Sequence, residues 1–233
     1  MVSLTIIKYK KRFVPFAFLA MAFFRIPLFF NKNISFWKLM GSGKSGSFDK
    51  TPDLQQWAIF TIDDRLLITS EKEFLYGNFI AKWLSFFKTE SITYILEPIQ
   101  GHGLWDGKKL FSDSPVKQNF EGKIAVLTRA TIRVSKLSAF WKHVTGAAQE
   151  MKTAPGFILS YGIGEIPWIK QATFSIWENA EAMKNFAYKM HNHAEIIKKT
   201  RQQNWYSQDM YVRFKILLCE GCINGNKALD LKL

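Results

Sequence analysis

Cysteine, histidine and acidic residues are scarce in this chain, and each scarcity argues against a class of site. Only two of its 233 residues are cysteines, Cys219 and Cys222, in "LLCEGCING". A structural zinc site needs four ligands, and no second cysteine pair is present to complete one. The motif ends a predicted strand rather than opening a helix, so we predict two reduced thiols in a cytoplasmic protein.

The four histidines, His102, His143, His191 and His193, show no metal-binding spacing. None of them form a pair four residues apart, which is the spacing that places two imidazoles on one side of a helix. No carboxylate near His191 and His193 completes a two-histidine, one-carboxylate triad. The pattern therefore does not support a mononuclear zinc or non-haem iron site.

Acidic residues number 19 against 32 Lys and Arg, which gives a net charge of +13 and favours anionic partners. The charge is uneven, since residues 1–50 hold nine Lys or Arg and a single acid, Asp49. No zinc finger or ribonucleoprotein motif accompanies it. We therefore expect a solvated basic face and no nucleic-acid partner, with a membrane surface as the second interpretation.

A long apolar run, "RFVPFAFLAMAFFRIPLFF", covers residues 12–30. Arg25, Pro15 and Pro27 interrupt it, which argues against a membrane span. A strand-like stretch precedes its charges, unlike a signal peptide. We predict a helix that is buried or touches a membrane, with membrane-surface contact through residues 8–32, and a protein that is cytoplasmic with membrane association left open.

What is abundant is aromatic surface, at 15% of the residues. That much ring area suits a large apolar core, or a pocket for a flat or oily ligand.

Hydrophobic periodicity predicts the same element order twice: strand, helix, strand, strand, helix, strand. The predicted strands are 2–9, 34–40, 56–63, 91–99, 123–134, 156–163, 171–177 and 209–218, and the predicted helices are 13–26, 71–88, 136–150 and 178–200. Weak self-similarity supports the repeat, since "WAIFTIDD" at 57–64 corresponds to "ATFSIWEN" at 172–179.

We therefore predict an α+β fold of two tandem ferredoxin-like (βαββαβ) halves, arranged like a dimeric α/β barrel. The predicted N-terminal half is 1–102, followed by a linker at 103–122, a C-terminal half at 123–225 and a tail at 226–233.

A glycine-rich stretch, "KLMGSGKSGSF" at 38–48, resembles a phosphate-binding loop but lacks two of its parts. The first glycine of that motif would fall on Lys38, and Gly46 and Pro52 prevent the helix that must follow. We predict a flexible connection between the second and third strands.

The predicted helix from residue 178 has an apolar stripe, to which Met183, Phe186 and Met190 belong. At about 100° per residue, His193 leans toward this stripe and His191 lies at its rim. A histidine on an apolar face is most often a packed residue, and that interpretation stays open. A single inward histidine among aromatics also fits haem, for which one axial imidazole suffices.

Two arginines, Arg129 and Arg213, lie inside predicted strands. An inward arginine needs a carboxylate or an anionic ligand, and haem propionates are one such partner. The alternative is an outward, solvated strand residue.

Several segments between Phe36 and Gly225 resemble the spheroidene monooxygenase family of acyclic carotenoid ketolases. The most specific are "LTRATI" (127–132), "GIGEIP" (162–167), "QATFSIW" (171–177) and the pattern W-Y-x-x-x-x-Y-x-R-F (205–214).

This resemblance implies a haem-dependent monooxygenase that uses haem b, O₂ and an external electron donor such as ferredoxin or a reductase. It implies oxidation of a lipophilic, carotenoid-like substrate to a ketone. Its fold relatives are dimeric α/β-barrel haem proteins, in which a helix histidine of the C-terminal half ligates the iron.

The same resemblance assigns roles to residues of this chain. His193 would be the axial ligand, while Arg129 or Arg213 would face a propionate or the distal, catalytic side. Gly43 and Gly164, in the loops after the second strand of each half, would border the cofactor, and Trp205 would contact it.

Two alternatives stay open at this point. One is a haem enzyme of related fold with dehydratase, isomerase or peroxidase-like activity on a small molecule. The other is a non-enzymatic haem- or lipophile-binding protein. A homo-oligomer is also left open.

Overall fold

A computed structural model of the protein describes residues 1–44, 50–111, 120–189, 199–200 and 202–227. The chain divides into two compact units. The first contains Met1–Ser42, Asp53–Glu97 and the chain from Ile216 onward, and the second contains Gly43–Pro52 and Pro98–Lys215. The mixed α and β class is confirmed, whereas the domain boundaries drawn from the sequence stay a prediction.

The N-terminal part of the chain forms four strands and four helices. These are β1 (Val2–Lys8), α1 (Val14–Phe23), α2 (Arg25–Phe30), β2 (Ile34–Gly43), β3 (Pro52–Asp63), α3 (Lys72–Tyr76), α4 (Asn78–Phe86) and β4 (Glu90–Gly103). The strand order in the first unit is β4-β1-β3-β2. Strand β1 is antiparallel to both β3 and β4, so every backbone group of this short apolar strand has a neighbour to pair with.

Two predicted helices are each split, for identifiable reasons. The run predicted as 13–26 becomes a 3₁₀ turn (Lys11–Phe13) followed by α1 and α2, and Pro27 in α2 has no N–H to continue the ladder. The run predicted as 71–88 becomes α3 and α4, because Gly77 between them has φ of +88°. That conformation ends a helix and favours glycine.

The helices of the first unit cover one face of its sheet. Their inner side contributes Ala17, Ala20, Phe24 and Leu28 to a core with Ile80 and Leu84 of α4. The segment Lys11–Phe30 is long and apolar enough to cross a membrane by length and composition, with a mean hydropathy of 2.0. Only 22% of its most apolar window is buried.

The later part of the chain repeats the pattern. Its elements are β5 (Ile124–Ile132), α5 (Leu137–Lys152), β6 (Phe157–Ile166), β7 (Lys170–Trp177), α6 (Ala180–Lys189), β8 (Tyr206–Ile223) and the short β9 (Asn226–Lys227). The strand order in the second unit is β6-β7-β5-β8, and neighbouring strands are antiparallel. Residues 190–198 of the predicted helix 178–200 lie outside the described residues.

Helices α5 and α6 cover one face of the second sheet. The core beneath them joins Ile124 and Val126 of β5 to Met151, Met183 and Phe186 of the two helices. A second cluster, at the start of α5, buries Phe140, Trp141 and Trp205. These packed aromatics account for part of the ring surface counted in the sequence.

The glycine-rich stretch is only partly a connection, because residues 38–43 belong to β2, which extends beyond its predicted end at residue 40. The predicted flexibility of the connection stays a prediction. The Lys44 N–H donates to the Thr51 carbonyl over 3.1 Å, which joins the two ends of the connection. Residues 45–49 lie outside the described residues.

Candidate functional site

The two arginines singled out from the sequence lie on opposite faces of the second sheet. In the pairing of β5 with β8, Arg129 is opposite Met210, while Arg213 is opposite Val126. Paired residues project to the same face and successive residues alternate, so Met210 and Arg213 point to opposite sides. Val126 belongs to the core beneath the helices, and therefore Arg213 is on the helix-covered face.

Arg129 is 1% exposed and is held by three side chains. Its Nη1 donates to Gln208 Oε1 over 2.8 Å, and its Nη2 donates to Asp106 Oδ1 over 3.3 Å. Glu165 Oε1 lies 3.6 Å from Nη2. A buried arginine beside two carboxylates is already neutralised, which is the arrangement expected of a structural ion pair.

These partners of Arg129 hold the segment that follows β4. Trp105, also fully buried, donates its indole N–H to Glu165 over 2.8 Å and lies under the Arg129 guanidinium. Lys170 donates to Asp106 over 2.7 Å. Arg129 thus fixes a turn, and its predicted cofactor and catalytic roles stay a prediction.

Arg213 differs from Arg129 in having no carboxylate partner among the described residues, although the Nε of both arginines is buried without an acceptor there. One of its terminal nitrogens donates to Gln100 Oε1 of β4. Its Nε is buried and has no hydrogen-bond partner among the described residues. A buried guanidinium N–H without an acceptor is costly, and an anionic group bound beside it would remove that cost.

Tyr211 lies on the same face, two residues before Arg213. Its hydroxyl donates to the Met183 sulfur of α6 over 3.3 Å. Burial raises the pKa of Tyr211 to about 12, partly opposed by the nearby Arg213 charge. The phenol is protonated at neutral pH, and its one hydrogen is donated to the Met183 sulfur, which is a weak acceptor.

His102 of β4 stacks on the ring of Tyr211, with centroids 5.4 Å apart and an angle of 27° between the planes. Sequence reasoning did not connect His102, Gln100 or Tyr211 to a site. A signal existed, because Gln100 and His102, like Tyr211 and Arg213, are spaced two apart and so share one face of a strand. That β4 and β8 are neighbours was not readable from the sequence.

The remaining predicted residues lie in separate surroundings. Gly43 and Gly164 lie within strands β2 and β6, so the prediction that they are in loops after these strands is wrong; an added Cβ at Gly164 would approach the Lys170 carbonyl to 2.8 Å. Trp205 is fully buried, donates to Gln203 Oε1 over 2.9 Å and packs against Phe140. Cofactor contact by these three residues stays a prediction.

His191 and His193 lie outside the described residues. Within the part of the chain that the structure describes, no group of three or more His, Cys, Asp or Glu side chains could hold a metal ion. The axial role predicted for His193 therefore stays a prediction.

A cleft of about 350 Å³ lies at the start of α6, lined by residues that include Pro155, Glu178 and Asn185. It contains none of the predicted site residues.

Because Arg213, Tyr211 and His102 lie together on the helix-covered face, we place the candidate site there and call it the Arg213 site.

The fold, taken with the Arg213 site, defines a mixed α/β protein with antiparallel strands in each unit and a cationic, aromatic candidate site in the second unit. Among solved structures, an aldoxime dehydratase in complex with butyraldoxime is similar, with a TM-score of 0.57 and 10% identity. The similarity covers 92% of this chain and 78% of that one, and at this identity it shows the fold alone.

Three curated relatives are each named spheroidene monooxygenase. The relative from Rubrivivax gelatinosus is 31% identical over 82% of this chain and 72% of its own length. Those from Cereibacter sphaeroides and Rhodobacter capsulatus are 34% and 29% identical over 78% and 94% of this chain. The chain belongs to the spheroidene monooxygenase family, which confirms the resemblance.

The match with the Cereibacter sphaeroides relative spans 56% of that protein's length, and with the Rhodobacter capsulatus relative 91%. A scan against protein-family models found no match.

Proposed function

We propose that this protein is a haem-dependent monooxygenase that inserts oxygen from O₂ into a lipophilic, carotenoid-like substrate. Family membership supports the oxygenase chemistry, because all three relatives carry the name of a carotenoid monooxygenase. The observation that supports the haem part is the uncompensated charge of Arg213. Its guanidinium donates to the neutral amide of Gln100, whereas Arg129, whose Nε is equally without an acceptor among the described residues, lies beside two carboxylates.

The residues of the Arg213 site suit an anionic, flat and otherwise apolar group. The Arg213 guanidinium would pair with a haem carboxylate, and Tyr211 would offer its phenol hydrogen. The core of Val126, Met183 and Phe186 beside it would bury the apolar rim of the ring. His193, by the family resemblance, would hold the iron.

Bound haem would supply O₂ activation, with electrons from an external donor such as ferredoxin or a reductase. The residues of the chain would hold the haem and shield it from water. Tyr211, with a pKa near 12, stays a donor through the physiological range. His102 is exposed and stacks on the ring of Tyr211, so it helps to hold that ring in position.

The finer architecture proposed is that of two tandem ferredoxin-like halves, as in dimeric α/β-barrel proteins. The strand orders β4-β1-β3-β2 and β6-β7-β5-β8 support it. In both, the first strand lies between the third and the fourth, and the second lies beyond the third, which is the ferredoxin-like order.

To test the proposal, the haem-loaded protein is incubated with an acyclic carotenoid in detergent micelles, together with O₂ and reduced ferredoxin. We expect a keto-carotenoid by mass spectrometry that requires haem, O₂ and reductant together. An Arg213→Met variant should yield less product at limiting haem, and Lys215→Met is the matched control on the same strand face.

Product formed equally well without haem would contradict the cofactor assignment. Haem-loaded protein that leaves the carotenoid unchanged but dehydrates, isomerises or peroxidises a small molecule would support the alternative enzyme class instead.

A further inference from the structure

The first unit exposes large apolar side chains where a surface helix ordinarily shows polar ones. Phe29, Phe30 and Phe86 are 73%, 74% and 78% exposed, and Ile26 is 60% exposed. We call the exposed large apolar side chains of α1 and α2 the aromatic face, which comprises Phe16, Phe18, Leu19, Phe23, Ile26, Phe29 and Phe30. Apolar patches of this extent on soluble proteins mark interaction sites.

Helix α1 buries small residues and exposes most of its large apolar ones. Ala17 and Ala20 point into the core, while Phe16, Leu19 and Phe23 on the same helix point out. An amphipathic surface helix would have the reverse arrangement. The aromatic face is therefore not explained by packing within this unit.

Helix α4 extends the aromatic face. Phe16 contacts Phe87 at the end of α4 with ring centroids 4.8 Å apart, and Phe23 contacts Trp83 at 6.0 Å. The exposed Phe79 and Phe86 of α4 thus adjoin the exposed rings of α1.

Positive charge surrounds the aromatic face, and negative charge is missing from its sequence. Exposed basic side chains precede, interrupt and follow it: Lys10, Lys11, Arg12, Arg25, Lys32 and, on α4, Lys82. Residues 1–48 and 74–89 contain no Asp or Glu. Rings that insert among lipid tails, with Lys and Arg around them, match an anionic bilayer surface.

The packing favours a helix that lies on the membrane over one that spans it. Ala17, Ala20, Phe24 and Leu28 are buried in the core of the unit, so a spanning helix would have to leave that core. Arg25 and Pro27 also interrupt the run near its middle.

We propose that the aromatic face docks this protein onto an anionic lipid bilayer, with α1 and α2 lying in the plane of the interface. The proposal does not depend on haem or on oxygenase activity. It deepens the proposed function by placing the enzyme where a bilayer-dissolved substrate would be.

The test is co-sedimentation of the full chain with phosphatidylcholine vesicles that contain or lack phosphatidylserine. We expect binding to the anionic vesicles that weakens at high salt. A Phe29→Gln/Phe30→Gln double variant should bind at least about tenfold less, since it removes two inserted rings. A Lys10→Glu/Lys11→Glu variant should lose the preference for anionic lipid.

Leu66→Gln/Ile68→Gln is the matched control, because both side chains are exposed, at 89% and 58%, and lie outside the aromatic face. It should bind as the unchanged protein does, and circular dichroism checks that each variant is folded. Three results would overturn the proposal: no sedimentation with either vesicle, self-association through Phe29 and Phe30 without vesicle binding, or retention in vesicles through an alkaline carbonate wash.

Discussion

At the scale of single residues, two arginines on neighbouring strands have different partners. Arg129 is bracketed by Asp106, Glu165 and Gln208, while Arg213 donates to a neutral amide and keeps a buried N–H without an acceptor among the described residues. The Nε of Arg129 is also buried without an acceptor among the described residues, so the two arginines differ in the charge of their partners and not in that atom.

Arg129→Met should therefore act mainly on stability. It removes the cation between two carboxylates, and breaking a buried pair in this way costs about 3 kcal/mol or more. Urea unfolding followed by circular dichroism measures the loss. Lys170→Met is the comparison, because Lys170 is 25% exposed in its pair with Asp106 and such pairs contribute about 1 kcal/mol or less. Equal losses in the two variants would refute the structural role given to Arg129.

Lys72 predicts a pH dependence. Burial lowers the pKa of Lys72 to about 8, partly opposed by Glu220, and its ammonium donates to Thr93 over 2.6 Å. Between pH 8 and the ordinary lysine pKa of 10.5, the unfolded chain binds a proton that the folded chain does not. The contribution of this group to the free energy of unfolding therefore rises with pH across that window and is unfavourable below it.

Lys72→Met should remove this rise, which is measured as the difference in unfolding free energy between variant and unchanged protein from pH 7 to pH 10.5. We expect the variant's relative stability to be greatest at pH 7. A difference that does not change with pH would show that Lys72 titrates normally in the folded state.

At the scale of elements, helix α3 is tied to the sheet beneath it by hydroxyl groups. The Tyr76 hydroxyl lies 2.6 Å from Thr5 Oγ1 and 3.1 Å from Ser3 Oγ, and Thr5 is in turn 2.9 Å from Thr93. Burial raises the pKa of Tyr76 to about 12, so this network holds its protons at neutral pH. It explains why polar residues occupy the central strand β1.

The turn after β4 offers a matched pair of glycines. Gly103 and Gly107 have φ of +88° and +77°, a region that L-residues rarely adopt. A Cβ at Gly103 would approach the Asp209 carbonyl oxygen to 2.3 Å, whereas at Gly107 it would meet nothing within 4 Å. Gly107→Ala should cost about 1–2 kcal/mol of backbone strain, and Gly103→Ala clearly more. Thermal unfolding measures both, and a Gly103→Ala no worse than Gly107→Ala would contradict the close approach of β4 and β8.

Element order was predictable because alternation and helical periodicity are strong in this chain. The breaks within the predicted helices were less predictable, since the sequence around Gly77 does not show that this residue adopts a positive φ. The partners of Arg129 were beyond the sequence, because Asp106 and Glu165 reach it from distant segments. The Arg213 site was partly predictable, because the two-residue spacings in β4 and β8 show which side chains share a face of each strand.

At the scale of the whole molecule, charge and apolar surface are concentrated in the same segment. The net charge of +13 includes nine Lys or Arg in residues 1–50 against a single acid. The sequence left a buried helix and a membrane-touching helix as equal interpretations of this segment. The exposure of Phe29 and Phe30 favours the second, because composition alone does not say which side of a helix faces out.

Haem titration of the purified chain tests the proposed function most directly. Absorbance in the Soret region is recorded for the unchanged protein and for His193→Ala, His191→Ala, Arg213→Met and Lys215→Met. We expect saturable binding, with the spectrum lost in His193→Ala and kept in His191→Ala. Arg213→Met should bind about 10- to 100-fold more weakly, as loss of a charge-assisted hydrogen bond implies, with Lys215→Met unchanged. The absence of a Soret band after reconstitution of the unchanged protein would contradict the account.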